Sequence, residues 1–271
     1  MSAPLVDHGV DAIVDRAIDT DPQTIYVINP GLRTVRHLIE SLEPEGNAPN
    51  FRVMAAEGVL KEVMSDFLVG SRAADLIEAG NLALRVRNGP PENSVLVADD
   101  RVVALITIDD RVAGLSTDRR EFVDRLQELY ESRWENASRF SLRTPPLSEV
   151  RRTLANDIGD AALADFDAIL SSLETARGEG HDLDEVTISL LVAARNSALL
   201  YDISKWGEDI GIASKATFSR TKTELEEEGL IVTEKVPIEV GRPRLRLQLG
   251  TDRLREADPG DLADEAISAL A

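Results

Sequence analysis

The sequence predicts two fold classes in one chain: an α/β layered domain at the N-terminus and an α+β domain near the C-terminus. Three observations support this division. Strand-like runs alternate with amphipathic helical segments up to about residue 143, Pro145 and Pro146 interrupt the alternation, and three helical segments with a hairpin pattern follow later. Because strands separated by helices are typical of parallel sheets, we expect the N-terminal part to form layers of helices over a sheet.

The N-terminal region contains two copies of a strand followed by a helix. Residues 24–30 (TIYVINP) precede an amphipathic helix at 31–42, and residues 51–57 precede a long helix at 59–80. Further strands and one helix are predicted at 82–88, 94–100, 101–109 and 122–137. The last two strands have the pattern of a hairpin that turns at Asp99 and Asp100, which adds an antiparallel part to the sheet.

The diproline marks the predicted boundary between the domains, since proline cannot continue a helix and restricts the residue before it. Two helical stretches separated by a glycine follow it. The predicted regions are a layered domain at 1–143, a helical connector or dimerisation hairpin at 144–180, a second domain at 181–250 and an acidic tail at 251–271.

Residues 181–250 carry the signals of three helices and a hairpin in a fixed order. Asp184 can cap the first helix, and a shorter helix with Trp206 inward follows it. After the turn Gly-Ile-Ala-Ser, Ser214 can cap a third helix that stops at Gly229. Two strands around a glycine turn at 241–244 complete the order of a winged helix-turn-helix. In such domains the helix after the turn, here the third helix, enters the DNA major groove.

The third helix is predicted to present a polar face to DNA. At about 100° per residue, Phe218, Lys222 and Leu225 share one side, and Arg220 lies at the centre of the opposite side. An arginine there can bond guanine bidentately or clamp a phosphate. Lys215 and Lys222 lie at the edge of the core side, from which their long side chains can reach phosphates. Arg242 and Arg244 flank a proline at the predicted tip of the wing, where they can contact phosphates or the minor groove. The predicted DNA-binding residues are Ser214, Lys215, Ala216, Thr217, Ser219, Arg220, Lys222, Thr223, Arg242 and Arg244.

The charge pattern bears on this prediction. The chain carries 49 acidic against 30 basic residues, a net charge of −19, and a polyanion is expected to avoid nucleic acid. However, residues 203–250 hold eight bases and eight acids, so this segment is neutral and contains four of the five lysines. The acid-rich, lysine-poor composition is similar to that of proteins from halophilic archaea.

Composition also limits the chemistry. The absence of cysteine excludes disulfides and thiolate zinc sites, and three scattered histidines, His8, His37 and His181, offer little for metal or triad chemistry. We therefore expect no catalytic residues, no metal and no cofactor. No run approaches 18 apolar residues and the N-terminus is acidic, so we expect a cytoplasmic protein without membrane contact.

A candidate effector site lies where the first strand gives way to its helix. Backbone N–H groups of a helix N-terminus together with arginines can hold an anion such as a sugar phosphate. The candidate residues are Asn29, Gly31, Arg33 and Arg36. The alternative is an ordinary strand-to-helix turn.

The segment ISKWGEDIGIASKATFSRTKTELEEEGLIVTEKVPIEVGRPRLRL resembles the TbsP family of haloarchaeal transcription regulators, and the resemblance extends over nearly the whole chain. It implies a regulator of central carbon metabolism at gluconeogenic or glycolytic promoters. Lys222 departs from the apolar residue usual at its position in such helices. The N-terminal half also resembles the phospholipase D-like effector domain of TrmB-type regulators, without the His-x-Lys motif that phosphodiesterase chemistry requires.

The sequence thus predicts a regulator that binds promoter double-stranded DNA, as a homodimer because two half-sites give adequate specificity. The predicted dimer surface is either the helices at 147–176 or the first helix of the winged domain. Two alternatives stay open at this point. The chain could be an enzyme built on the α/β domain, or a protein-interaction scaffold, with the winged domain as an accessory.

Overall fold

The computed structural model describes residues 5–7, 23–44, 49–89, 93–108, 111–175, 183–239 and 241–270. The chain divides into two compact units, residues 1–146 and 147–271. Within the described ranges, no helix combines the length and the apolar character needed to cross a membrane.

Eight strands form one sheet in the described part of the N-terminal unit. Their bounds are β1 Leu5–Asp7, β2 Thr24–Ile28, β3 Asn50–Ala55, β4 Leu82–Val86, β5 Ser94–Val97, β6 Val102–Ile108, β7 Arg111–Thr117 and β8 Ser138–Arg139. The spatial order is β1-β7-β6-β5-β2-β3-β4-β8, in which β2, β3 and β4 are parallel. The strands β5, β6 and β7 pair antiparallel, which confirms the predicted parallel sheet with an antiparallel addition.

Helices cover both faces of this sheet. The helices in the described residues of this unit are α1 Leu32–Ser41, α2 Glu57–Met64, α3 Phe67–Glu78 and α4 Arg120–Asn136. Side chains alternate between the faces of each strand, so Phe51 and Val53 face α1, α2 and α3, whereas Tyr26 and Met54 face α4 with Trp134. The layered α/β architecture is therefore confirmed.

The single helix predicted at 59–80 is two helices in the structure. The Oδ1 atom of Asp66 accepts hydrogen bonds from the backbone N–H groups of Leu68 at 3.0 Å and Val69 at 3.1 Å. Asp66 thereby acts as the N-cap of α3 and starts a new helix, because its side chain satisfies donors that lack intrahelical partners.

In the C-terminal unit, helices precede and follow a winged helix-turn-helix along the chain. Its elements are α5 Leu147–Asp157, α6 Asp160–Thr175, α7 Glu185–Arg195, α8 Leu200–Asp209, α9 Lys215–Glu227, β9 Ile231–Val236, β10 Arg244–Leu249, α10 Asp252–Glu256 and α11 Asp261–Leu270. The strands β9 and β10 pair antiparallel, and Leu199 forms an isolated bridge to Arg246 of β10. The predicted order of helix, short helix, turn, helix and hairpin is confirmed.

The two stretches predicted as a connector, now α5 and α6, lie inside the C-terminal unit. The indole N–H of Trp206 in α8 donates to Thr153 Oγ1 of α5 at 2.9 Å, and the amide of Asn196, just after α7, donates to Asp165 of α6 at 2.7 Å. The acidic tail forms α10 and α11, and Leu262 of α11 is fully buried. Buried side chains thus anchor both segments to the helical core.

Candidate nucleic-acid interface

The turn between α8 and α9 is set by glycine and by a serine cap. Gly211 has a φ of +82°, a left-handed conformation that residues with a Cβ rarely adopt. The backbone N–H of Ile212 donates to Gly207 O at 2.8 Å, which closes the end of α8. Ser214 Oγ then accepts from the Thr217 N–H at 3.2 Å, so α9 begins at Lys215 as the sequence predicts.

The apolar side of α9 packs closely against α8. The Phe218 ring is fully buried, and it lies so near Gly207 that a Cβ at that position would overlap the ring. Thr221 and Leu225 continue the buried side of α9 one and two turns further on. This contact fixes the angle between the two helices, because the interior leaves no space for a shift.

The opposite side of α9 is open to solvent. Ala216, Ser219, Arg220 and Thr223 are all exposed, and the Arg220 side chain is 73% exposed. Glu224 approaches the Arg220 guanidinium only at 3.8 Å, too far for a strong hydrogen bond. The structure therefore brings a guanidinium, two hydroxyls and a methyl group onto one surface, the set of groups that read base edges in a major groove.

The N-terminal turn of α9 differs from this open face. Ser214 and Thr217 hydrogen-bond each other across the cap, with their hydroxyl oxygens 3.0 Å apart. Lys215 Nζ lies 2.8 Å from Glu208 Oε2, and its backbone N–H also donates to Glu208. These two hydrogen bonds lower the pKa of the Glu208 carboxyl and the first of them raises the pKa of Lys215, so the pair is ionised at neutral pH.

Lys222 is paired inside the unit rather than on the exposed face. Its side chain is 12% exposed, and Nζ donates to Glu226 Oε2 at 2.6 Å. Glu226 also accepts from the Thr233 hydroxyl of β9 at 2.6 Å. Burial acts to raise the pKa of Glu226, but the hydrogen bonds from Lys222 and Thr233 outweigh it and lower that pKa. Lys222 therefore ties the helix to the wing, which explains a lysine at a position where an apolar residue is usual.

The two wing arginines have different surroundings. Arg242 is exposed at the tip between β9 and β10. Arg244 lies over the Tyr201 ring, with 4.2 Å between its guanidinium carbon and the ring centroid, and its Nη1 is 3.5 Å from Asp202. Tyr201 and Asp202 belong to α8, so Arg244 fixes the base of the wing against the helix-turn-helix.

The four candidate effector residues also differ from one another. Asn29 has a φ of +50°, and its N–H donates to Met54 O at 2.8 Å. Gly31 caps α1 without a side-chain hydrogen bond, and Arg33 is exposed. Arg36 Nη1 donates to Asp66 Oδ2 at 2.6 Å, so its guanidinium supports the cap of α3. The anion site stays a prediction: the N-terminus of α1 and Arg33 are exposed there, and the guanidinium of Arg36 is bound to Asp66.

Family models match both units of the chain. A model described as "Transcriptional regulator TbsP-like, N-terminal" matches residues 2–145, and one described as "Transcriptional regulator TbsP-like, C-terminal HTH domain" matches residues 146–267. The chain belongs to the TbsP-like family of transcriptional regulators. The resemblance seen in the sequence is confirmed as far as the family.

Two solved structures are similar to part of the TbsP-like chain. TrmBL2, described as an archaeal chromatin protein with a novel mode of DNA binding, is 12% identical at a TM-score of 0.35, over 51% of this chain and 54% of its own. NucT from Helicobacter pylori is 11% identical at a TM-score of 0.35, over 51% of this chain and 99% of its own. The chain thus spans about half the length of TrmBL2, and neither likeness bears on what it binds. No curated protein matches the sequence.

Sequence reasoning missed Tyr201 in this TbsP-like chain. Tyr201 is 46% exposed and its ring supports Arg244, yet it follows Leu199 and Leu200 in an apolar run that gives no sign of a surface role. The exposed Lys235 of β9 was also left out. A signal existed for Lys235, because it is one of four lysines clustered in the neutral segment 203–250 and lies on a predicted wing strand.

Proposed function

We propose that this TbsP-like regulator binds promoter double-stranded DNA sequence-specifically, with α9 in the major groove. The observation that carries the proposal is the exposed face of α9, where the Arg220 side chain is 73% exposed and its ion pair with Glu224 is long, at 3.8 Å. The Phe218 contact with α8 holds that face rigidly, so its donors are arranged before DNA arrives. Preorganised donors lose less conformational entropy on binding.

The wing supplies the second contact. Arg242 reaches a phosphate or the minor groove from the exposed tip, while Arg244 keeps the wing base in place through Tyr201. Lys215 adds a phosphate contact by exchanging Glu208 for the DNA backbone. Lys222 is left out of the interface because its ammonium is bound to Glu226.

The proposed regulator is a homodimer that reads two half-sites. Of the two predicted dimer surfaces, α7 is buried from Val186 to Ala194 inside its own unit. The helices α5 and α6 keep exposed sides and are the proposed contact. The expected result is a dimeric mass by light scattering, alone and with operator DNA, and a monomeric mass in both would refute the dimer.

The proposal also covers the genes that the protein regulates and the metabolite that modulates it. The resemblance to TbsP regulators supports genes of central carbon metabolism, with gluconeogenesis and glycolysis as the expected targets. The N-terminal α/β unit supports modulation by a small anionic metabolite, since its sheet has the parallel strand ends where such ligands bind. A protein that acts on promoters in this way works in the cytoplasm.

The test is a binding titration with an operator selected from genomic fragments. Arg220→Ala should weaken specific binding by about 1–3 kcal/mol, roughly ten- to 150-fold, because one bidentate base contact is lost. Stability should be unchanged, since the side chain is exposed. The matched control is Arg253→Ala, which removes an equally exposed arginine of α10 away from α9.

Two outcomes would contradict the proposal. Equal binding by wild type and Arg220→Ala would show that α9 does not read bases. Retention of all fragments alike, or of none, would favour a protein-interaction role for the winged domain.

A further inference from the structure

A cavity of about 480 Å³ lies at the carboxyl ends of the parallel strands in the N-terminal unit. Ile28 ends β2 and Met54 lies near the end of β3, and both line it. The C-terminal half of α4 forms the opposite wall. The position is the one where open α/β sheets hold ligands, and the volume lies within the range of metabolite sites, about 300–1,000 Å³.

The charged side chains that line the cavity are both arginines. Arg87 follows β4 and Arg133 belongs to α4, so the two arginines come from two different elements of the unit. No carboxylate lines the cavity among the described residues. In a chain of net charge −19, a cavity with two cations and no acid favours an anionic ligand.

Both arginines are held in position. The backbone N–H of Arg87 donates to Ala55 O at 2.7 Å, which binds the end of β4 to β3, and its Nη1 donates to Gly89 O at 2.8 Å. The Arg133 guanidinium lies 5.5 Å from the centroid of the Tyr130 ring. A planar fork held in this way matches the oxygens of a phosphate bidentately.

The other residues that line the cavity indicate that the ligand has an organic part besides its anionic group. The side chains of Asn88, Ser132 and Asn136 offer neutral donors and acceptors, and Ile28 and Met54 supply an apolar floor. Amides and hydroxyls bind the hydroxyl groups of a polyol, which an inorganic anion lacks. A cavity of about 480 Å³ also has more room than one phosphate fills.

We propose that this cavity binds a small phosphorylated metabolite with several hydroxyl groups, with Arg87 and Arg133 on the phosphate. The regulatory meaning of this site rests on the proposed function, but the binding itself does not. None of the four effector residues predicted from the sequence lines the cavity, which lies on the α4 face of the sheet. The site is therefore distinct from the N-terminus of α1.

The test is calorimetric titration of the full chain without DNA. The probes are glucose 6-phosphate, fructose 1,6-bisphosphate and glycerol 3-phosphate, with glucose, glycerol and inorganic phosphate as their unphosphorylated and inorganic counterparts. At least one phosphorylated probe should bind saturably and at least tenfold more tightly than its counterparts. Arg133→Gln and Arg87→Gln should each weaken that binding about tenfold or more, the range for a charge-assisted hydrogen bond.

The matched control is Arg125→Gln, which removes an exposed arginine of α4 that does not line the cavity and should leave affinity unchanged. Arg133→Gln alters an exposed side chain, so its fold should survive even if Arg87→Gln unfolds. Three results would overturn the assignment: no binding of any phosphorylated probe at millimolar concentration, equal affinity for inorganic phosphate, or binding that Arg133→Gln leaves intact. Because DNA is absent, failure here leaves the DNA-binding proposal standing, and the reverse also holds.

Discussion

The two candidate sites of this molecule are built over very different lengths of chain. The DNA-facing surface lies within residues 199–246, where each element follows the last after a short turn. The cavity of the N-terminal unit joins residues from Ile28 to Ala137, which meet only because the sheet pairs distant strands. The first site is specified by local signals, whereas the second depends on long-range pairing.

Two helical glycines, one in each unit, differ in the space around their Cβ positions. Gly207 of α8 faces the buried Phe218 ring with no room for a Cβ. Gly58 of α2 has nothing within 4 Å of its Cβ position. An added methyl group is therefore expected to clash in α8 and to find open space in α2.

The same glycine-to-alanine change should have opposite effects in the two units. Gly207→Ala is expected to destabilise the C-terminal unit by about 3 kcal/mol, since overpacking a buried contact forces side chains off their preferred rotamers. Gly58→Ala should be neutral or stabilise by up to about 1 kcal/mol, because alanine has a higher helix propensity than glycine and residue 58 lies in the first turn of α2. Chemical denaturation with hydrogen exchange locates each effect in its unit.

A double variant tests whether the destabilisation by Gly207→Ala comes from its contact with Phe218. Gly207→Ala combined with Phe218→Leu should recover part of the lost stability, because the smaller side chain frees space beside residue 207. If Gly207→Ala unfolded like the wild type, the close contact between α8 and α9 would not exist in solution.

Much of the winged unit could be predicted because its signals are local. Ser214 and Asp184 cap α9 and α7 in the structure as the sequence indicates. Trp206 is buried, in agreement with its predicted inward position. The partner of Trp206 could not be predicted, because Thr153 lies 53 positions earlier in the chain.

The sequence predicts the α/β fold class of the layered unit, but not all of its strands and helix ends. The pattern of β7 contains Gly114 and small residues, which weaken strand propensity, so the strand that completes the antiparallel part was missed. The Ser65-Asp66 pair inside the long predicted helix is a cap signal, because serine and aspartate are favoured at the N-terminus of a helix. The cavity could not be inferred, since the positions of Arg87 and Arg133 depend on the fold of α4 across the sheet.

Asp66 offers a test of local signals in the layered unit. Asp66→Ala should cost about 1–2 kcal/mol, because two N–H groups of α3 lose their acceptor and Arg36 loses its partner. Arg36→Ala should cost only about 0.5 kcal/mol, since its side chain is 38% exposed. Thermal unfolding of both variants measures the difference. A larger loss for Arg36→Ala would reverse the assignment of the cap to Asp66.

The link between α9 and the wing is expected to weaken at acidic pH. The pKa of Glu226 is lowered by hydrogen bonds from Lys222 and Thr233, so its ionised form stabilises the fold. That contribution is complete above the usual pKa of 4.5 and is lost as the pH falls through the lowered value. Glu226→Gln should therefore cost about 1 kcal/mol at pH 7, and the difference from wild type should shrink below pH 4.5 as the wild-type carboxyl protonates.

Glu227→Gln removes the neighbouring exposed carboxylate and serves as the control in urea denaturation at each pH. A cost for Glu226→Gln that stayed constant down to pH 3 would mean that the charge of Glu226 does not hold α9 to β9, and the wing would then owe its position to Arg244 and Tyr201 alone.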